Sequence, residues 1–103
     1  MKSITCKDLL EKYSFGYNST IIDLRSHLDF TKGHIPNSYN IPYDLFVQKY
    51  INYLSYDKVY FLICEGGERS KKCTHLLLKN NYKAINISDG YKNWKGPVER
   101  SRY

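Results

Sequence analysis

Val59-Tyr60-Phe61-Leu62-Ile63 is an almost unbroken apolar run that ends on Cys64. Continuous apolar character is expected of a strand covered on both faces, as in a parallel sheet, so a central strand is predicted over 58–63. Ser55-Tyr56-Asp57 turns the chain into it. Thr20-Ile21-Ile22-Asp23-Leu24 is rich in β-branched residues and predicts a second strand, and Ala84-Ile85-Asn86-Ile87 a third. Tyr39-Asn40-Ile41 is a short strand ended by Pro42, and Ile4 begins a short extended piece.

Between these runs the period changes. Phe46, Val47, Tyr50, Ile51 and Leu54 recur at helical spacing over 44–54. Cys73, Leu76 and Leu77 lie on one face of a helix expected over 69–80. Thr5 is placed to cap a first helix, with Asp8 three residues on and Leu9, Leu10 and Tyr13 on its apolar side. Ser26 and Asp29 repeat that arrangement for a short second helix, which Lys32-Gly33-His34 breaks. Gly16-Tyr17-Asn18-Ser19 and Pro36-Asn37 mark turns, and a last short helix is expected over 89–94. Strands alternating with helices predict an α/β domain of three layers. Repeats, low-complexity tracts and linkers are missing, so 1–103 is expected to be one domain.

Composition narrows the class. There is no apolar run of about 18 residues to span a membrane. The N-terminus has no apolar stretch followed by a small-residue cleavage site, so a cytoplasmic location is expected. Cys6, Cys64 and Cys73 are odd in number and lack Cys-x-x-Cys spacing, which argues against a disulfide framework and a structural zinc. The net charge is +6 and the pI about 9.2. The basic residues are scattered among acids, and their longest cluster, Arg69-Ser70-Lys71-Lys72, is short. A solvated surface is therefore expected, with no nucleic-acid site. The 11 tyrosines are read as packing, and Tyr91 and Trp94 as core and rim.

The chemistry lies where the central strand stops. Cys64-Glu65-Gly66-Gly67-Glu68-Arg69-Ser70 is a tight loop leading into a helix. Backbone N–H groups and a helix N-terminus directed at Cys64 favour an anionic sulfur, the nucleophilic form of the thiol. Gly66 and Gly67 permit the positive φ angles that turn successive N–H groups inward. Arg69 is expected to brace the loop through carbonyls or Glu68, and Ser70 to cap the helix or donate to the sulfur. Cys73 is read as core packing, in preference to a thiol that resolves Cys64. His34 is read as a turn residue, and His27 and His75 as solvent-facing.

This loop resembles the active-site loop of the single-domain rhodaneses, the sulfurtransferases. Ile22-Asp23-Leu24-Arg25, then Phe30-Thr31-Lys32-Gly33-His34-Ile35-Pro36 and Ile41-Pro42, resembles the upstream signature of that family. Asp89-Gly90-Tyr91-Lys92-Asn93-Trp94-Lys95-Gly96-Pro97-Val98 resembles the downstream one. The resemblance implies a mostly parallel five-stranded sheet with helices on both faces. It implies that Cys64 takes the outer sulfur of a donor as a persulfide and passes it to a nucleophilic acceptor, each a small molecule or a protein, with no metal or organic cofactor. It implies that Glu65 to Ser70 surround that sulfur and that Asp23 and Arg25 support the loop by ion pairing.

Two departures and three rivals complete the reading. Glu65 and Glu68 flank a loop that is often neutral or basic in the family, so thiosulfate, a dianion, is expected to be a poor donor. Asn37-Ser38 replaces a usual small pair and is expected to alter only a turn. Phosphatase and arsenate reductase loops resemble Cys-x-x-x-x-x-Arg, one residue longer and wide enough for a tetrahedral oxyanion. Arg69 stands five positions after Cys64, which suits a single sulfur atom. The other rivals are a sulfur carrier without fast turnover and a non-catalytic interaction module.

Overall fold

A computed structural model describes residues 1–12 and 19–101. In chain order it contains β1 (Ser3–Ile4), α1 (Cys6–Lys12), β2 (Ser19–Asp23), α2 (His27–Lys32), β3 (Tyr39–Asn40), α3 (Tyr43–Tyr53), β4 (Val59–Ile63), α4 (Glu68–Lys79) and β5 (Lys83–Ile87). A single 3₁₀ turn, Tyr91–Asn93, stands where a last helix was expected. The five strands form one sheet in the order β1-β5-β4-β2-β3, every neighbouring pair parallel.

The apolar run of β4 does what its pattern requires. Tyr60, Leu62 and Cys64 pack on one side against Phe46 of α3 and Cys73 and Leu77 of α4. Phe61 and Ile63 pack on the other side with Cys6 and Leu9 of α1, Ile35, Tyr91 and Trp94. Helices on both faces make the three layers.

Local chemistry sets the helix ends. The Asp8 N–H donates to Thr5 Oγ1 at 3.2 Å and the Asp29 N–H to Ser26 Oγ at 3.2 Å, so both expected caps form. α3 starts one residue earlier than the spacing predicts, after Pro42, and is kinked at Lys49 (φ −134°). Its apolar stripe is wider than its buried face: Phe46 is fully buried, while Val47 and Ile51 are 38% and 68% exposed. On α1, Leu9 is buried and Leu10 exposed. Tyr13 and the expected turn at 16–18 lie outside the described residues. No described helix is long and apolar enough to cross a membrane.

The strand order fixes where a ligand belongs. From β2 the chain passes outward to β3, and from β4 it passes the other way to β5. Connections thus diverge between β2 and β4, and a crevice opens beyond their carboxyl ends, the position at which open α/β sheets bind ligands.

Candidate active site

Cys64 follows the last residue of β4, at that crevice, and is 5% exposed. The N–H groups of Gly67 and Ser70 donate to its Sγ at 3.2 and 3.3 Å, and Ser70 Oγ lies 3.4 Å away. The N–H groups of Glu65, Gly66, Glu68 and Arg69 have no acceptor among the described residues. The latter two open α4, whose first N–H groups lack intrahelical partners. Two backbone donors of the loop thus hold the sulfur, and four further N–H groups of the same loop are left without an acceptor among the described residues.

Gly67 makes the turn possible. Its φ is +99°, and a Cβ there would overlap the Ser88 carbonyl. Gly66 does not have a positive φ, contrary to expectation, and a Cβ there would meet nothing nearer than Lys92 Nζ at 3.8 Å. Ser70 does not cap α4, since Gly67 is the capping residue. The Ser70 hydroxyl donates to Gly67 O at 3.1 Å, and the Thr74 hydroxyl to Ser70 O at 2.7 Å. Among the described residues Arg69 forms no hydrogen bond with a loop carbonyl and no ion pair with Glu68; its guanidinium lies over the Tyr43 ring, 5.0 Å from the centroid.

The back of the loop is held by a segment distant in sequence. Tyr91 N–H donates to Cys64 O at 2.8 Å and Lys92 N–H to Glu65 O at 3.2 Å. Gly90, at φ +78°, lies so close that a Cβ would overlap the Glu65 carbonyl. Cys6, in which the sequence shows no signal, joins this segment: its N–H donates to Asp89 Oδ1 at 2.9 Å and its Sγ–H to Gly90 O at 3.1 Å. Burial, and then Asp89, push its thiol up to about 12. Burial likewise pushes Cys73 up to about 12, and it sits fully inside the core.

Asp23 and Arg25 form a buried, bidentate ion pair at the end of β2, with Nη2 2.8 Å from Oδ2 and Nε 3.1 Å from Oδ1. Arg25 Nη2 also donates to Gly33 O at 2.7 Å, and its guanidinium stacks on the Tyr91 ring at 3.7 Å. One side chain thus ties β2 to the turn after α2 and to the segment behind Cys64. His34 is buried in that turn, its Nδ1 2.7 Å from Phe30 O. Burial raises the Tyr91 phenol above its ordinary value.

Two adjoining clefts open here. One, of about 320 Å³, lies over Cys64 and is lined by Leu24, Ser26, Asp29, Glu65, Glu68 and Arg69, among others. The second, of about 660 Å³, shares Arg25, Asp29 and Glu65 with it and extends along Lys32, Lys92, Trp94 and Arg100. Glu65 and Glu68 are both exposed. Lys92 was not legible in the sequence as a site residue, because only the contact between the two loops brings it beside Gly66.

The fold is thus an open parallel α/β sheet with a thiol held by backbone donors just beyond its central strand. Residues 5–97 match the rhodanese-like domain, and the chain belongs to that family. A Bacillus subtilis protein called the putative sulfurtransferase YtwF is 29% identical over 99 residues, 96% of this chain and 95% of that one. The putative sulfur carrier protein YrkF, also of Bacillus subtilis, is 29% identical over 93% of this chain, which spans 52% of YrkF. The crystal structure of a rhodanese-like domain protein from Staphylococcus aureus superposes with a TM-score of 0.81 at 31% identity, covering 97% of this chain and 98% of that one.

Proposed function

We propose that this chain is a sulfurtransferase that carries sulfur as a persulfide on Cys64, with residues 1–103 acting as one domain. The observation that carries the reading is the cup itself: two N–H groups already donate to Sγ at 3.2 and 3.3 Å, and four more have no acceptor among the described residues. In the first half-reaction the Cys64 thiolate attacks the outer sulfur of the donor. A new S–S bond forms, the donor's bond to that sulfur breaks, and the donor fragment leaves with the electron pair. In the second, an acceptor nucleophile attacks the terminal sulfur and Cys64 leaves as thiolate. The N–H groups of Glu65, Gly66, Glu68 and Arg69 supply fixed dipoles for the anionic outer sulfur, as an oxyanion hole does for oxygen. Gly67 shapes the loop, Ser70 donates from below, and Asp23 with Arg25 holds the surrounding turns.

The cup closes around one atom at a Cys64-to-Arg69 spacing of five, which favours sulfur over a tetrahedral phosphate. Three free cysteines suit a reducing, cytoplasmic setting. Asp29, Glu65 and Glu68 at the mouth make thiosulfate a poor donor.

The test is intact-protein mass after treatment with thiosulfate, mercaptopyruvate, glutathione persulfide or a cysteine desulfurase. Gain of one sulfur atom on wild type, absent in Cys64→Ser, with release to a thiol acceptor, is the expected result. An inert Cys64 overturns the reading. Sulfur that is gained but leaves only to a partner protein is the carrier behaviour that the name of YrkF suggests.

A further inference from the structure

We infer that the donor is a low-molecular-weight persulfide of amino-acid type, zwitterionic, and that Lys92 selects it; the inference rests on the persulfide reading of Cys64. Its basis is a division of charge between the two clefts. Over Cys64 the rim carries Asp29, Glu65 and Glu68. Of the two arginines there, Arg25 is paired with Asp23, and Arg69, which lies over the Tyr43 ring, leaves the three acids in excess. The adjoining cleft shares Asp29 and Glu65 on its near side and adds Lys32, Lys92 and Arg100 beyond them, so that its cations outnumber its acids. Among the described residues, none of these six charged side chains forms an ion pair with another. Lys92 stands where the clefts meet: its backbone is bonded to Glu65 O, and its Nζ would lie 3.8 Å from a methyl group at Gly66.

A donor that points its sulfur at Cys64 therefore meets negative charge beside the sulfur and positive charge beyond it. Thiosulfate presents its own negative charge to the acids. A persulfide that bears an ammonium and a carboxylate on one carbon can turn the first towards the acids and the second towards Lys92, and so matches both signs. The larger cleft, about 660 Å³, is in the usual range for small organic ligands. It holds an amino acid or short peptide, whereas thiosulfate leaves it mostly unused. The chemistry balances without an oxidant or reductant. The Cys64 thiolate attacks the outer sulfur of R–S–SH, the Sγ–S bond forms and the donor's S–S bond breaks. The amino-acid thiolate leaves with the electron pair and takes up the donor's proton as RSH, and the new persulfide stays anionic in the cup.

Three donors separate the two charges: cysteine persulfide, its N-acetyl derivative without the ammonium charge, and cysteamine persulfide without the carboxylate. Rates of sulfur gain on Cys64 are read by intact mass, with Cys64→Ser as the blank. Wild type is expected to prefer cysteine persulfide over each of the others by about two- to fivefold, the scale of solvent-exposed charge contacts. Lys92→Ala is expected to abolish the preference over cysteamine persulfide only. Glu65→Gln combined with Glu68→Gln is expected to abolish the preference over the N-acetyl donor only. Equal rates for the three donors in wild type, or preferences that survive these variants, overturn the inference and leave Cys64 as a sulfur acceptor. No sulfur on Cys64 from any donor, thiosulfate and inorganic polysulfide included, overturns the parent reading as well.

Discussion

Gly66 and Gly67 are adjacent and identical in the sequence, yet their backbones answer to different constraints. Gly67 holds φ at +99° against the Ser88 carbonyl, whereas Gly66 faces open space and the end of a flexible lysine. Gly67→Ala is expected to cost at least about 2 kcal/mol, from left-handed strain plus a backbone clash. Gly66→Ala should stay within about 0.5 kcal/mol of wild type. Urea denaturation midpoints of the two variants check this, and equal losses would contradict it. The buried thiols give a second test at this scale. Cys6 and Cys73 titrate near 9.0 when unfolded and about 12 in the fold. Between these values the unfolded chain loses protons that the native one keeps. Their contribution is intact below pH 9 and is lost as pH rises from 9 towards 12. Stability should therefore fall across that window, and less steeply in Cys73→Ala than in wild type.

At the scale of elements, the site is made by three segments that meet beyond the sheet: the end of β2, the loop between β4 and α4, and residues 88–94. Asp23 and Arg25 join the first to the third. Removing one partner of a buried pair leaves the other charge stranded, so Arg25→Met should cost about 3–5 kcal/mol. Asp23→Val with Arg25→Met should cost less than Arg25→Met alone, because no charge is then left buried. Chemical denaturation of the three proteins tests the ordering. Caps were readable at this scale, since Thr5 with Asp8 and Ser26 with Asp29 act within a single turn. The inward face of α3 was not. Val47 and Ile51 share the apolar stripe of Phe46 and Tyr50, but the sheet and α4 cover only part of that helix, and periodicity carries no information about how wide the covering surface is.

For the whole molecule, a net charge of +6 gives no hint of the sign over Cys64. The local balance there is negative and the neighbouring balance positive. Thiosulfate turnover is expected to be weak in wild type, and to rise about threefold in Glu65→Ala with Glu68→Ala, the scale of removing exposed like charges. The gain should shrink as salt is added, because these carboxylates are exposed to solvent. Steady-state assays at low and moderate ionic strength measure both effects. A low KM for thiosulfate in wild type would contradict the electrostatic argument.

The sequence by itself determined the alternation of strands and helices, the central strand that stops just before Cys64, the caps and the five-residue interval to Arg69. Each of these depends on neighbours a few positions apart, and short-range sterics, periodicity and hydrogen bonding express them directly. Only the tertiary structure decided that Gly67 alone of the pair turns left-handed, that Arg69 lies over Tyr43, that Cys6 and Gly90 close the back of the loop, and that Lys92 stands beside Gly66. Those outcomes depend on residues up to 84 positions apart, as in the Cys6 to Gly90 bond. They exist only once the parallel sheet brings the carboxyl ends of β2, β4 and β5 to one edge.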